Sequence, residues 1–154
     1  MGNAEKRLAE LGITQPPVNP SQGNYVPFLK DEDLVFVSGQ GPRLEGKLMY
    51  SGTVGQDVDL ETAKEAARLC ARNILAQLRA ACDGDLDRVK QVLRIAGIVR
   101  CTADFTEQAK VIDAASELLR QALGDAGVHT RIATGTHALP SGMAVEIEAI
   151  ARIA

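Results

Sequence analysis

In the run Thr130–His137 an arginine sits among small residues. Side chains of an extended strand alternate between its two faces. Arg131, Ala133, Gly135 and His137 therefore share one face, and the alanine and glycine leave space beside the guanidinium. A planar fork of donors with room beside it suits bidentate capture of a carboxylate. The later run Val145–Ala151 alternates in the same way. It puts Glu146 and Glu148 on one face and Val145, Ile147 and Ala149 on the other. Two carboxylates beside an arginine strand form a coupled cluster. In it one carboxylate can orient or deprotonate a water while the arginine holds a substrate. The same spacing also allows an ion pair of Arg131 with Glu146 or Glu148 in an adjoining strand. Spacing alone leaves open which glutamate faces a ligand.

Other chemistry-bearing residues read more plainly. His129 and His137 flank the arginine strand, yet neither has an evident nucleophile or ligand partner, so both are expected at the surface or an interface. Ser38-Gly39-Gln40-Gly41 follows an apolar run but lacks Gly-Lys-Ser/Thr, with no helix directly after it, which points to a pocket-lining turn rather than a nucleotide site. The three cysteines form no CxxC pair, and no His/Cys pair has ligand spacing, so no metal is expected. Cys70 and Cys101 fall in apolar periodic runs and read as buried thiols, whereas Cys82, near a helix end, is expected to be more exposed.

The formal net charge of −3 is spread along the chain. Phosphate binding needs clustered Lys and Arg, so nucleic acid is not an expected partner. No segment reaches the length of a membrane span, and Met1–Leu11 has no apolar signal core. Together with free thiols, this makes the cytoplasm the expected compartment.

At 154 residues, 45% of them hydrophobic, the chain suits one domain with a real core. Ala4–Leu11 can form a short helix stopped by Gly12, and Pro16, Pro17 and Pro20 then make an extended arm. Tyr25–Leu29 and Leu34–Ser38 read as a hairpin around a polar turn at Lys30–Asp33, and Lys47–Tyr50 as a possible short strand. Asp59 is placed to cap a helix running to Ala81, with Ala63, Ala67, Cys70, Ile74 and Leu78 as its apolar stripe. Arg88–Cys101 reads as a strand. Asp104 and Glu107 then form a capping box for a second helix ending at Gly124, before strands at Thr130–His137 and Ala144–Ile153. The order predicts a mixed α/β (α+β) sheet with both helices on one face, and oligomerisation to cover the other.

These segments resemble the Rid (YjgF) family, the reactive intermediate deaminases. The likeness rests on Gly23-Asn24-Tyr25-Val26, Leu34 through Ser38-Gly39-Gln40-Gly41-Pro42, Val54-Gly55, Asn73-Ile74-Leu75 and Gly84-Asp85-Leu86-Asp87-Arg88-Val89. Above all it rests on Arg131 through Leu139-Pro140 to Val145-Glu146-Ile147-Glu148-Ala149-Ile150. It implies a chorismate-mutase-like fold, residues 1–22 as an arm and 23–154 as one domain, and a homotrimer with interface clefts. It also implies hydrolysis of a small 2-imino acid of the 2-aminoacrylate type to a 2-keto acid and ammonia, without metal or cofactor. In that pattern Arg131 holds the carboxylate, Glu146 activates water, and Tyr25, Ser38, Gly39 and Ala133 line the pocket. Ala133 stands where the deaminating branch commonly has cysteine, and the arm is longer. Both features resemble a divergent branch, for which the alternative is a non-catalytic trimer binding a small carboxylate.

Overall fold

The computed structural model describes residues 2–14 and 17–154. Pro16, one of the prolines expected to extend the arm, lies outside the described residues. Strands β1 (Phe28–Asp31), β2 (Leu34–Gln40), β5 (Val89–Arg100), β6 (Thr130–Thr136) and β7 (Val145–Ile153) form one sheet in the order β1-β2-β7-β5-β6. A separate two-stranded ribbon joins β3 (Arg43–Leu44) to β4 (Lys47–Leu48). β5 and β6 run parallel, linked by helix α3 (Gln108–Leu123), and the other pairs are antiparallel. A parallel pair cannot be closed by a tight turn, which is why a helix must cross between those two strands.

Helix α2 (Leu60–Ala81) begins where expected, because the Asp59 carboxylate accepts the Thr62 backbone N–H at 2.8 Å. Its stripe Ala63, Ala67, Cys70, Ile74 and Leu78 is buried, as are Ile112, Ala115, Leu119 and Ala122 of α3. Both helices cover the face carrying Val35, Val37, Ile95, Val99, Val145, Ile147 and Ala149. At Gly97 any Cβ would lie 2.5 Å from Ile112 Cδ1, so the missing side chain lets α3 approach β5 closely. Val92 and Ile95 both point inward although three residues apart, because the register slips between Val92 and Arg94. A bulge of this kind accounts for the blurred alternation of the sequence there.

Three expectations need correcting. The first strand starts at Phe28 and runs through Lys30 and Asp31, leaving only Glu32 and Asp33 as the turn. Charged residues are tolerated there because β1 is an edge strand. Asp104 and Glu107 make no capping box. Cys101 and Thr102 are still held by Thr136 and Val54, so α3 begins only at Gln108, with no side-chain cap. Cys82 is fully buried rather than exposed, beneath the turn that follows α2.

Helix α1 (Asn3–Glu10) packs outside α3 through Ala4 and Leu8. Gly2 at its start offers no side chain, so the distant Asp87 carboxylate accepts the Asn3 and Ala4 backbone N–H groups at 2.7 and 2.9 Å. Those bonds hold the Asp87 pKa below the usual carboxylate range. Among the described residues no helix is long and apolar enough to cross a membrane.

Candidate functional site

The sheet face away from the helices carries Glu146 and Glu148 beside Ser38 and Gly39, and above it lies a cleft of about 520 Å³. The arm forms its far wall. Asn19, Pro20, Ser21, Gln22 and Tyr25 line it together with Ser38-Gly39-Gln40-Gly41, Arg43, Pro140, Ser141, Met143 and the two glutamates. A volume of this size suits a small metabolite. Ser38-Gly39-Gln40-Gly41 does line the pocket, but as the irregular end of β2 rather than as a turn: Ser38–Gln40 belong to the strand, whose register against β7 shifts between Val37 and Gln40.

Glycine is required at two places in this wall. A Cβ on Gly39 would collide with Glu146 Oε1 and stand 2.9 Å from its Cδ, so the carboxyl lies directly on the Gly39 backbone. A Cβ on Gly41 would run into Met143 Sδ. Glu146 makes no ion pair among the described residues, and burial followed by the nearby Glu148 charge raises its pKa above the ordinary carboxylate range. Glu148 is more exposed, with Arg94 at 3.9 Å. The Ser38 hydroxyl donates to Val26 O at 2.7 Å, leaving its oxygen free only to accept.

Two polar side chains buried in α2, whose role sequence reasoning missed, hold the cleft wall: Asn73 the segment after β2 and Gln77 the arm. Asn73 Nδ2 donates to Gly41 O at 2.9 Å and Arg43 O at 2.8 Å, and Gln77 Nε2 donates to Asn19 O at 3.3 Å. Asn19 in turn accepts the Gly46 N–H at 3.0 Å. The available signal was two amides on the apolar stretch Asn73–Leu78, since buried polar groups need partners.

Arg131 lies elsewhere. β5 separates β6 from β7, so neither glutamate is in an adjoining strand. Arg131 pairs in register with Ile95, whose side chain is buried under the helices, while Glu146 pairs with Ile98 on the other face. The guanidinium meets Asp113 Oδ1 at 2.7 Å, Ser116 Oγ at 3.0 Å and Ala109 O at 3.2 Å, all on α3. Within one chain Tyr25, Ser38, Gly39 and Glu146 therefore come together, whereas Arg131 and Ala133 are not among the residues lining that cleft.

His129 does have a partner, contrary to expectation. Its Nε2 lies 2.9 Å from Ser116 Oγ and its Nδ1 2.6 Å from Gly127 O. A carbonyl only accepts, so Nδ1 carries the proton and Nε2 accepts from the serine. The spacing of a helix serine from a post-helix histidine gave no hint of this contact. Among the described residues no group of three His, Cys, Asp or Glu side chains is placed to hold a metal.

The sheet order, the two helices on one face and the cleft beside the C-terminal strand define a class. The family model described as "YjgF/chorismate_mutase-like, putative endoribonuclease" matches residues 5–149, and the chain belongs to this YjgF/Rid family. The curated protein TCP17 of Trypanosoma cruzi is 35% identical over 153 residues, 99% of this chain and 95% of that protein. The crystal structure of Atu1372, a protein of unknown function from Agrobacterium tumefaciens, is 46% identical and superposes with a TM-score of 0.92 over 98% of this chain and 92% of its own. TdcF from Escherichia coli, solved with bound serine, shares the fold at 22% identity, with a TM-score of 0.65 over 92% of this chain and 97% of its own.

Proposed function

We propose that the protein hydrolyses a small 2-imino acid, of the 2-aminoacrylate type after tautomerisation, to a 2-keto acid and ammonia. The observation that carries this reading is Glu146, a desolvated carboxyl without an ion-pair partner, set on the Gly39 backbone in a cleft of metabolite size. A carboxyl with a raised pKa gives and takes a proton more evenly near neutrality than an ordinary one. In the proposed reaction the ionised Glu146 takes a proton from water as the water oxygen bonds to the imine carbon, and the C=N π pair moves to nitrogen, which receives that proton from Glu146. Glu146, ionised again, then takes the proton of the new hydroxyl as the C=O bond forms and delivers it to nitrogen as the C–N bond breaks, releasing the 2-keto acid and ammonia.

On this reading the active form is a homotrimer with clefts at its interfaces. Arg131, on edge strand β6, holds the substrate carboxylate in a neighbouring copy's cleft, with Ala133 beside it. Phe36 and Ile132 are exposed on the open sheet face, in keeping with cover from another copy. A cytoplasmic location goes with the three free thiols. The endoribonuclease activity in the family description fits less well. The chain is acidic, and among the exposed large apolar side chains of the described residues only Tyr25 and Phe36 are aromatic, too few to make a stacking platform for bases.

The test supplies 2-imino acids from an amino-acid oxidase and follows ammonia and keto acid. Acceleration by the wild type that Glu146→Gln abolishes is expected, and no acceleration over buffer across several imino acids would overturn the reading. One observation favours a second reading, a non-catalytic carboxylate-binding trimer: Ala133 stands where the deaminating branch commonly has a cysteine. That reading expects thermal stabilisation by 2-keto acids without turnover. Mass action sets it at about 2.7 kcal/mol at a hundredfold excess over Kd.

A further inference from the structure

The cleft has a cation of its own, and it is not Arg131. Arg43 follows Ser38-Gly39-Gln40-Gly41 and lines the same cleft as Glu146. Its side chain is half-buried, donates one hydrogen bond to Gly46 O at 3.2 Å, and ion-pairs with no carboxylate among the described residues. An arginine presents five donors, so most of the fork remains for a ligand. Its backbone is pinned as firmly as any part of the wall, since Arg43 O accepts from the buried Asn73 at 2.8 Å and from Asn19 at 3.5 Å. Ser21 lines the same cleft, and its hydroxyl oxygen is buried with no hydrogen-bond partner. A buried hydroxyl left unpaired is costly unless something arrives to use it.

We infer that the cleft takes an acidic substrate, one with a second anionic group besides the carboxylate next to the imine, and that Arg43 with Ser21 holds this second group. The inference rests on the deaminase cleft proposed above and adds the substrate class. Of the two glutamates in the cleft, Glu148 has Arg94 at 3.9 Å to offset part of its charge.

The experiment titrates the full-length protein with two saturated probes of equal chain length, 2-ketoglutarate and 2-ketovalerate, by calorimetry. In parallel, kcat/KM is measured for the imino acids derived from glutamate and norvaline. The wild type should prefer the diacid at least tenfold. Arg43→Gln should bring that ratio within twofold, Arg43→Lys should retain part of it, and Ser21→Ala should lower it several-fold. Arg131→Gln should weaken both probes alike. Far-UV dichroism and Tm establish that each variant is folded. Equal affinity of the wild type for both probes overturns the inference, as does a diacid preference unchanged in folded Arg43→Gln, or no binding of either probe. A diacid preference without turnover of any imino acid upholds the substrate class and removes the deaminase reading. Turnover of the neutral imino acid without a diacid preference does the reverse.

Discussion

Two polar centres lie on opposite faces of one sheet, and they are built on opposite principles. Around Arg131 each strong group has a partner: Asp113 and Ser116 accept from the guanidinium, and the Ser116 hydroxyl donates a hydrogen bond to His129 Nε2. Around Glu146 the groups are held but not satisfied. The carboxyl has no ion pair, Ser21 Oγ has no partner, and Arg43 gives one hydrogen bond to a carbonyl. A satisfied cluster braces strand against helix. An unsatisfied one in a cleft carries the cost of desolvation that a ligand can relieve. Arg131 has the residue type for binding, but in the single chain it is the Glu146 side that is prepared for it.

The contrast can be broken most sharply at Glu146. Glu146→Gln keeps the shape and removes the proton carrier, so imine hydrolysis should fall about 10²- to 10⁴-fold, while the helix-face variant Asp113→Asn should change it far less. Comparable losses in the two variants, measured as ammonia release, would erase the distinction. Gly39→Ala should come next. Its Cβ displaces the Glu146 carboxyl, and overpacking of this kind costs about 1–3 kcal/mol, read as a lower denaturant midpoint together with lost activity.

A smaller effect tests the cap of helix α1, which touches neither centre. Asp87→Asn weakens the cap on α1, and loss of such a cap costs about 1 kcal/mol. Its pKa is lowered on folding, so its contribution is fully present above the unfolded carboxylate value and is lost as pH falls through the folded one. Acid titration of Tm should therefore be shallower in Asp87→Asn than in the wild type. Glu146 has the opposite sign. Its raised pKa means that ionisation costs stability as pH rises through and above the ordinary carboxylate range, and Glu146→Gln should remove that loss. The smallest effect belongs to the Arg131–Asp113 pair. Asp113 is largely exposed, so Asp113→Asn should cost about 0–1 kcal/mol in chemical denaturation.

Much of the architecture was legible in the chain itself. The alternation of Val145–Ile153 is the observed one, with Val145, Ile147, Ala149, Ala151 and Ile153 buried and Glu146, Glu148 and Ile150 turned to the other face. Asp59 and the stripe of α2 read correctly, because capping and periodicity are local and each residue carries its own part of the signal. The family motifs brought Tyr25, Ser38, Gly39 and Glu146 onto one list, and the fold places those four in one cleft. The capping box at Asp104 misled because a bridge from Cys101 to Val54, far away in sequence, outweighed a local preference.

What residue order by itself determined was which side chains share a face of each strand or helix. What tertiary structure alone decided was which faces meet. Inserting β5 between β6 and β7 sent Arg131 to Asp113 instead of Glu146, and the packing of the arm and of β3 beside the end of β2 put Ser21 and Arg43 into one cleft. The physical reason is range. Side-chain alternation is fixed within a few residues by backbone geometry, whereas strand order depends on pairings between distant segments that no local pattern encodes.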